Sequence, residues 1–161
     1  MRLLVVRHGI AVDRGTPGLP DDERPLTPRG VERFREAARG LAEVLDRPDA
    51  IFTSPLPRAR RTAELLAEAF GGPEPRDVAA LAQASFEGIA QELEGFDSDA
   101  LVALVGHEPD VSALVARLVG SDAPGAFAFK KGGMALVEAD AGLRHGALVF
   151  FAPPRLLRPH A

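Results

Sequence analysis

The chain has no cysteine, which excludes disulfides, a thiol nucleophile and Cys-ligated zinc. Lysine is nearly missing as well: Lys130 and Lys131 are the only two, and every other cation except histidine is an arginine. Long hydrophobic runs are also lacking. The apolar stretch at residues 3–6 is too short for a signal peptide or a membrane span, so the cytoplasm is the expected location. No basic face dominates a chain of net charge -4, which argues against nucleic acid as a partner. An anionic substrate stays open, because a pocket can be locally basic inside an acidic protein. No two histidines have ligand spacing, and nearby arginines would repel a cation, so neither a metal nor another cofactor is expected. Repeats, low-complexity tracts and linkers are absent too. What remains is 161 residues with ordinary apolar and charged fractions, the size of one domain spanning 1–161.

Residues 3–6 form a β-branched apolar run that reads as a strand buried on both faces. The Gly-, Pro- and Asp-rich segment 9–26 reads as loop. Thr27 is expected to cap a helix that begins at Pro28 and buries Val31, Phe34, Ala38, Leu41 and Leu45. Residues 50–53 form a second strand, and Ser54 is expected to cap the next helix, with Pro55 and Pro57 in its first turn. Gly71-Gly72-Pro73 ends that helix. Segment 74–95 is weakly patterned: a short strand near Val78, then irregular or helical structure. Residues 101–105 are a third buried strand, and Pro109 opens a helix carrying Val111, Leu114, Val115 and Leu118. Segments 134–139 and 147–152 read as late strands joined by a turn at Ala141-Gly142. Strand–helix alternation of this kind implies an α/β domain with a mostly parallel sheet.

Three features share one kind of position, the carboxyl end of a strand. They are Arg7-His8-Gly9, the segment from Ser54 to Ala59 containing Arg58, and Gly106-His107. Sites in open α/β sheets form at that edge. If the three strands are neighbours, Arg7, His8, Arg58 and His107 converge into an anion site, and guanidinium groups match phosphoryl oxygens. A neutral imidazole is then a nucleophile for phosphorus, giving a phosphohistidine intermediate that water hydrolyses. The second ring nitrogen must donate to an acceptor, for which a backbone carbonyl in the following loop is expected. Gly9 is expected to let the backbone approach the phosphate closely. Arg24 either reaches the pocket or ties the loop down. Asp13, Asp21, Asp22 and Glu23 are either a solvated loop or a rim for a basic part of a partner. Arg60 and Arg61 read as surface, and His145 and His160 are assigned no role.

The ordered set Arg7-His8-Gly9, Ser54-Pro55-Leu56-Pro57-Arg58-Ala59 and Gly106-His107 resembles the histidine phosphatase superfamily. Small size, the segment Arg24-Pro25-Leu26-Thr27 with Gly30, and Val105-Gly106-His107-Glu108-Pro109 are similar to the SixA-like phosphohistidine phosphatases. The likeness runs through essentially the whole chain, including a closing Pro-x-x-Leu at Pro154 to Leu157. It implies a phosphoglycerate mutase-like three-layer domain with helices on both faces of the sheet. It also implies His8 as nucleophile, Arg7, Arg58 and His107 as phosphate pocket, and a phosphorylated substrate that could be a phosphohistidine-bearing protein. Phosphomonoesterase members usually supply a carboxylic acid from mid-chain; here Glu87, Glu92 and Glu94 stand in that region in no familiar context. A protonated imidazole leaves more readily than an alkoxide, so the missing acid favours a P–N substrate. Two alternatives stay open: a small-molecule phosphomonoesterase, and a phosphate- or phosphohistidine-binding module without turnover. A small chain with few insertions suggests an open, shallow pocket.

Overall fold

The computed structural model describes residues 1–158. Six strands form one sheet in the order β3-β2-β4-β1-β5-β6. They are β1 (Arg2–Arg7), β2 (Ala50–Thr53), β3 (Arg76–Asp77), β4 (Leu101–Gly106), β5 (Met134–Ala139) and β6 (Gly146–Ala152). The first four run parallel; β5 is antiparallel to β1, and β6 is antiparallel to β5. The helices are α1 (Pro28–Ala42), α2 (Pro57–Phe70), α3 (Phe86–Leu93), α4 (Asp110–Leu118) and the short α5 (Pro154–Leu157).

Alternation along the central strands divides the core into two layers. Leu4 and Val6 of β1 pack with Phe34, Ala38 and Leu41 of α1 and with Ala63 and Leu66 of α2. Leu3 and Val5 face the other way, onto Val111, Leu114 and Leu118 of α4 and Ile89 and Leu93 of α3. Burial on both faces is why β1 and β4 read as unbroken apolar runs. The arrangement is the expected three-layer α/β domain.

Local chemistry explains most boundaries. Thr27 caps α1, its Oγ1 accepting from the Gly30 amide at 2.9 Å, with Pro28 in the first turn. Gly71 closes α2 in the left-handed conformation at φ 70°. Segment 74–95 resolves into β3, a single 3₁₀ turn at Ala79–Leu81, and α3, which Ser85 caps through the Gly88 amide. Two expectations shift. Pro109 is the cap of α4 rather than its first residue. Ser54 does not cap α2: the helix starts at Pro57 behind Leu56, and no side chain caps it. Ser54 is still bonded to the end of β4, its amide donating to Val105 O at 2.9 Å, and Pro55 separates it from the helix.

Candidate active site

The three strand ends are neighbours, because β4 lies between β1 and β2. Arg7 pairs with Gly106 and Thr53 with Val105, so all three chains leave the sheet at one level. The His8 amide continues the ladder, donating to Gly106 O at 3.0 Å. His8, Arg58 and His107 are each less than 10 % exposed. The rings of His8 and His107 lie 5.2 Å apart, centre to centre.

His8 is held by its own loop. Nδ1 lies 2.7 Å from Gly9 O. A carbonyl only accepts, so Nδ1 carries the hydrogen and the lone pair is on Nε2. Desolvation pushes the ring down to about 3, with His107, Arg58 and Arg7 acting in the same sense and the Gly9 carbonyl opposing. At neutral pH His8 is therefore uncharged, with an oriented lone pair on Nε2. His107 is likewise pushed down to about 4 by desolvation and by Arg58. Its Nε2 is 2.7 Å from Ser54 Oγ. That oxygen accepts from the Leu56 amide at 3.3 Å, and because Ser54 is fully buried, its hydroxyl hydrogen has no acceptor among the described residues except His107 Nε2. The network thus assigns the hydrogen of neutral His107 to Nδ1.

Each arginine is anchored at one terminal nitrogen. Arg7 Nη1 donates to Phe129 O at 2.6 Å, and Arg58 Nη1 donates to Asp21 O at 2.8 Å. Burial pushes both guanidinium groups below their ordinary value; Glu108 opposes this at Arg7, and Arg24 adds to it at Arg58. Among the described residues, three buried side-chain nitrogens have no hydrogen-bond partner: Arg7 Nε, Arg58 Nε and His107 Nδ1. All three carry hydrogen under the assignment above. Unpaired buried donors cost about 1–3 kcal/mol each, so a site that keeps three suits an anion. No group of three or more His, Asp or Glu side chains among the described residues is arranged to hold a metal.

Other candidates sit elsewhere or act differently. Gly9 does not offer its amide to the site: that N–H donates to Thr62 Oγ1 at 3.0 Å, and the residue serves through its carbonyl. Arg24 ties the loop down, donating from Nε to Asp21 at 2.8 Å and from Nη1 to Val12 O at 2.7 Å, and its charge also lies close enough to the pocket to push Arg58 and His107 down. Asp21 is engaged by the arginines of its own loop. It accepts from Arg14 and Arg24 and lies 3.7 Å from Arg58. Although desolvation opposes it, hydrogen bonds from Arg24 and Arg14 hold its carboxyl below the ordinary value. Glu87 is exposed and paired with Arg117 at 3.3 Å. Arg60 and Arg61 are engaged by Glu64, Glu68, Glu74 and Asp77 along α2 and its flank. His145 falls in the β5–β6 turn, and His160 lies outside the described residues.

Four further residues support or adjoin the site. Ser54 orients His107. Thr62, one helical turn after Arg58, donates to Arg58 O at 2.7 Å and so joins α2 to the His8 loop. Glu108 accepts from the Phe129 amide at 2.7 Å, fixing the segment whose carbonyl anchors Arg7. Asp110 lines an apolar cavity of about 150 Å³ that reaches His107, and desolvation and Glu108 push its carboxyl up. The signal available for Ser54 was its place at a strand end, shared with His8 and His107.

Comparison with known proteins agrees with this geometry. The family model described as histidine phosphatase superfamily (branch 1) matches residues 3–88. An uncharacterized protein of Picosynechococcus sp. is 37 % identical over 150 residues, covering 91 % of this chain and 87 % of its own. The structure is similar to that of the protein histidine phosphatase SixA complexed with tungstate, with TM-score 0.79 and 25 % identity over 98 % of this chain and all of the other. It shares its fold with a mycobacterial glucosyl-3-phosphoglycerate phosphatase, at TM-score 0.73 and 20 % identity over 94 % of this chain and 98 % of the other. With a family match that takes in both His8 and Arg58, and a relative covering nearly the whole sequence, this chain belongs to the histidine phosphatase superfamily and is a phosphatase with a histidine-based mechanism.

Proposed function

We propose that this phosphatase hydrolyses the P–N bond of phosphohistidine in proteins, through a phospho-His8 intermediate. One observation carries the mechanism: a neutral, Nδ1-anchored His8 stands among three unpaired buried donors. In the first step the Nε2 lone pair of His8 attacks phosphorus, and the bond from phosphorus to the substrate's imidazole breaks. That imidazole leaves neutral if it entered protonated, so no proton need come from the enzyme. Arg7, Arg58 and His107 bind the equatorial oxygens as charge redistributes, which is the main protein contribution in phosphoryl transfer. Water then attacks phospho-His8, releasing inorganic phosphate and restoring the lone pair. The similar SixA structure holds tungstate, a tetrahedral oxyanion of phosphate shape, which supports an oxyanion site here.

The P–N preference is supported by the neighbouring carboxylates. Asp21 is engaged by Arg14 and Arg24, and Glu108 by the Phe129 amide and Ser112. Both already serve as hydrogen-bond acceptors within the protein. Asp110 favours a second reading, a phosphomonoesterase, because its raised carboxyl shares a cavity with His107.

Rapid-quench turnover tests the proposal. A phosphohistidine peptide is expected to give acid-labile phosphate on His8, located by mass spectrometry, and to react faster than alkyl phosphates. His8→Ala is expected to abolish both phosphoenzyme and turnover. Unchanged activity in that variant would sink the mechanism, and a clear preference for alkyl phosphates would move the assignment to the second reading.

A further inference from the structure

A second cavity, of about 580 Å³, adjoins the His8 loop at Gly9 and Ile10 on the α1 side of the sheet. Arg33 of α1, Lys130 and Lys131 of the segment before β5, and Arg155 and Arg158 at the chain's end all line it. No carboxylate does. Among the described residues, none of these five cations takes part in an ion pair, whereas nine of the fourteen arginines outside the groove do. Both lysines of a net-acidic chain are here. The lining between the cations is apolar, with Ile10, Phe151, Pro153 and Pro154.

This groove shares a wall with the phosphate site. The segment carrying Lys130 and Lys131 is fixed by the bonds that organise the site: Arg7 Nη1 to Phe129 O, and the Gly132 amide to His8 O at 2.9 Å. A chain lying in the groove would pass directly behind the His8–Gly9 turn.

We propose that the groove binds an acidic stretch of polypeptide on the protein whose phosphohistidine His8 attacks; it therefore rests on the reading above. A single small anion is satisfied by two or three cations, whereas five from three separate segments suit several carboxylates in series. The apolar lining suits the side chains between those carboxylates. Nucleic acid fits less well, because a chain of net charge -4 repels a long polyanion outside the groove.

The test uses two fluorescein-labelled peptides that differ only in Glu against Gln beside one histidine, each with and without phosphate on that histidine. The unphosphorylated Glu peptide is expected to bind the wild-type enzyme about tenfold tighter than the Gln peptide by anisotropy, several exposed ion pairs acting together. That advantage should vanish in about 0.5 M salt and in the Lys130→Glu/Lys131→Glu variant. The phosphorylated Glu peptide should show the same advantage in KM with kcat shared, while hydrolysis of phosphoramidate is the same in wild type and variant. Equal binding of the Glu and Gln peptides would overturn the proposal. So would a single-stranded oligonucleotide of matched charge binding as tightly as the Glu peptide. If the Glu peptide binds selectively but neither phosphopeptide turns over, the groove is upheld and the phosphohistidine reading fails.

Discussion

His107 shows how a residue with no charge at neutral pH can still serve an anion. Burial keeps the ring neutral, so its value to a phosphoryl group depends on which nitrogen carries the hydrogen. Ser54 decides that by donating to Nε2, the one acceptor that its buried hydroxyl has among the described residues. Removing the hydroxyl leaves both tautomers accessible, and the wrong one presents a lone pair to phosphate oxygens. Ser54→Ala is therefore expected to lower kcat/KM about tenfold, less than the roughly hundredfold cost of losing such a donor outright in His107→Ala. Imidazole nitrogen NMR should show His107 moving from one tautomer to a mixture. A single unchanged tautomer with full activity would remove Ser54 from the account.

At the scale of elements, α1 carries two glycines with different duties. A Cβ on Gly30 would sit 2.1 Å from Ile10 O, and one on Gly40 would sit 1.7 Å from Leu157 O. Neither contact can be relieved by a side-chain rotation, because both partners are backbone. Ile10 lies two residues beyond His8, while Leu157 belongs to α5, whose Pro154 and Arg155 line the cationic groove rather than the phosphate site. Gly30→Ala is expected to lose both stability and kcat. Gly40→Ala is expected to lose about 1–3 kcal/mol of stability, the cost of overpacking, with kcat on a small substrate kept. Thermal melts and steady-state rates on the two variants separate these outcomes, and equal activity losses would contradict the division. The same elements show what could be read beforehand. The runs ending at Arg7, Thr53 and Gly106 announced buried strands, and their shared carboxyl ends announced a site. Ser54, Thr62 and Glu108 were illegible because their partners lie across the sheet or in another loop. Each such bond depends on register, and a hydroxyl after a strand looks the same whether it caps a helix or holds a histidine. Arg24 was read as two alternatives for the same reason: its partner Asp21 was visible, but not that Asp21 also faces Arg58.

The whole molecule carries this site at a cost that pH can expose. His8 and His107 sit neutral in a buried, cation-rich pocket, with values pushed down to about 3 and about 4. In the unfolded chain both return to the ordinary histidine value of about 6.5. Below that pH the unfolded state takes up two protons that the folded state refuses. Proton uptake by the unfolded state lowers stability, so the protein weakens as pH falls from about 6.5 toward 4. Once each ring protonates in the folded state as well, its contribution levels off. Between pH 7 and pH 5 the loss is roughly 2 kcal/mol per histidine. Asp21, whose carboxyl is held low, has the other sign pattern: its stabilisation is present above the ordinary carboxylate range and disappears only in stronger acid. The early acid loss thus belongs to the histidines. Urea unfolding at pH 7, 6 and 5 should show a steep decline in the wild type and a much flatter one in His8→Asn/His107→Asn. A slope that survives the double substitution would mean that the two rings are not kept neutral by burial. Inorganic phosphate should restore part of the lost stability, because an anion bound only to the folded state stabilises it and also favours the protonated rings. The two buried rings that would serve a phosphoryl group, His8 by its lone pair and His107 by its hydrogen, are thus the same groups that make the protein sensitive to acid.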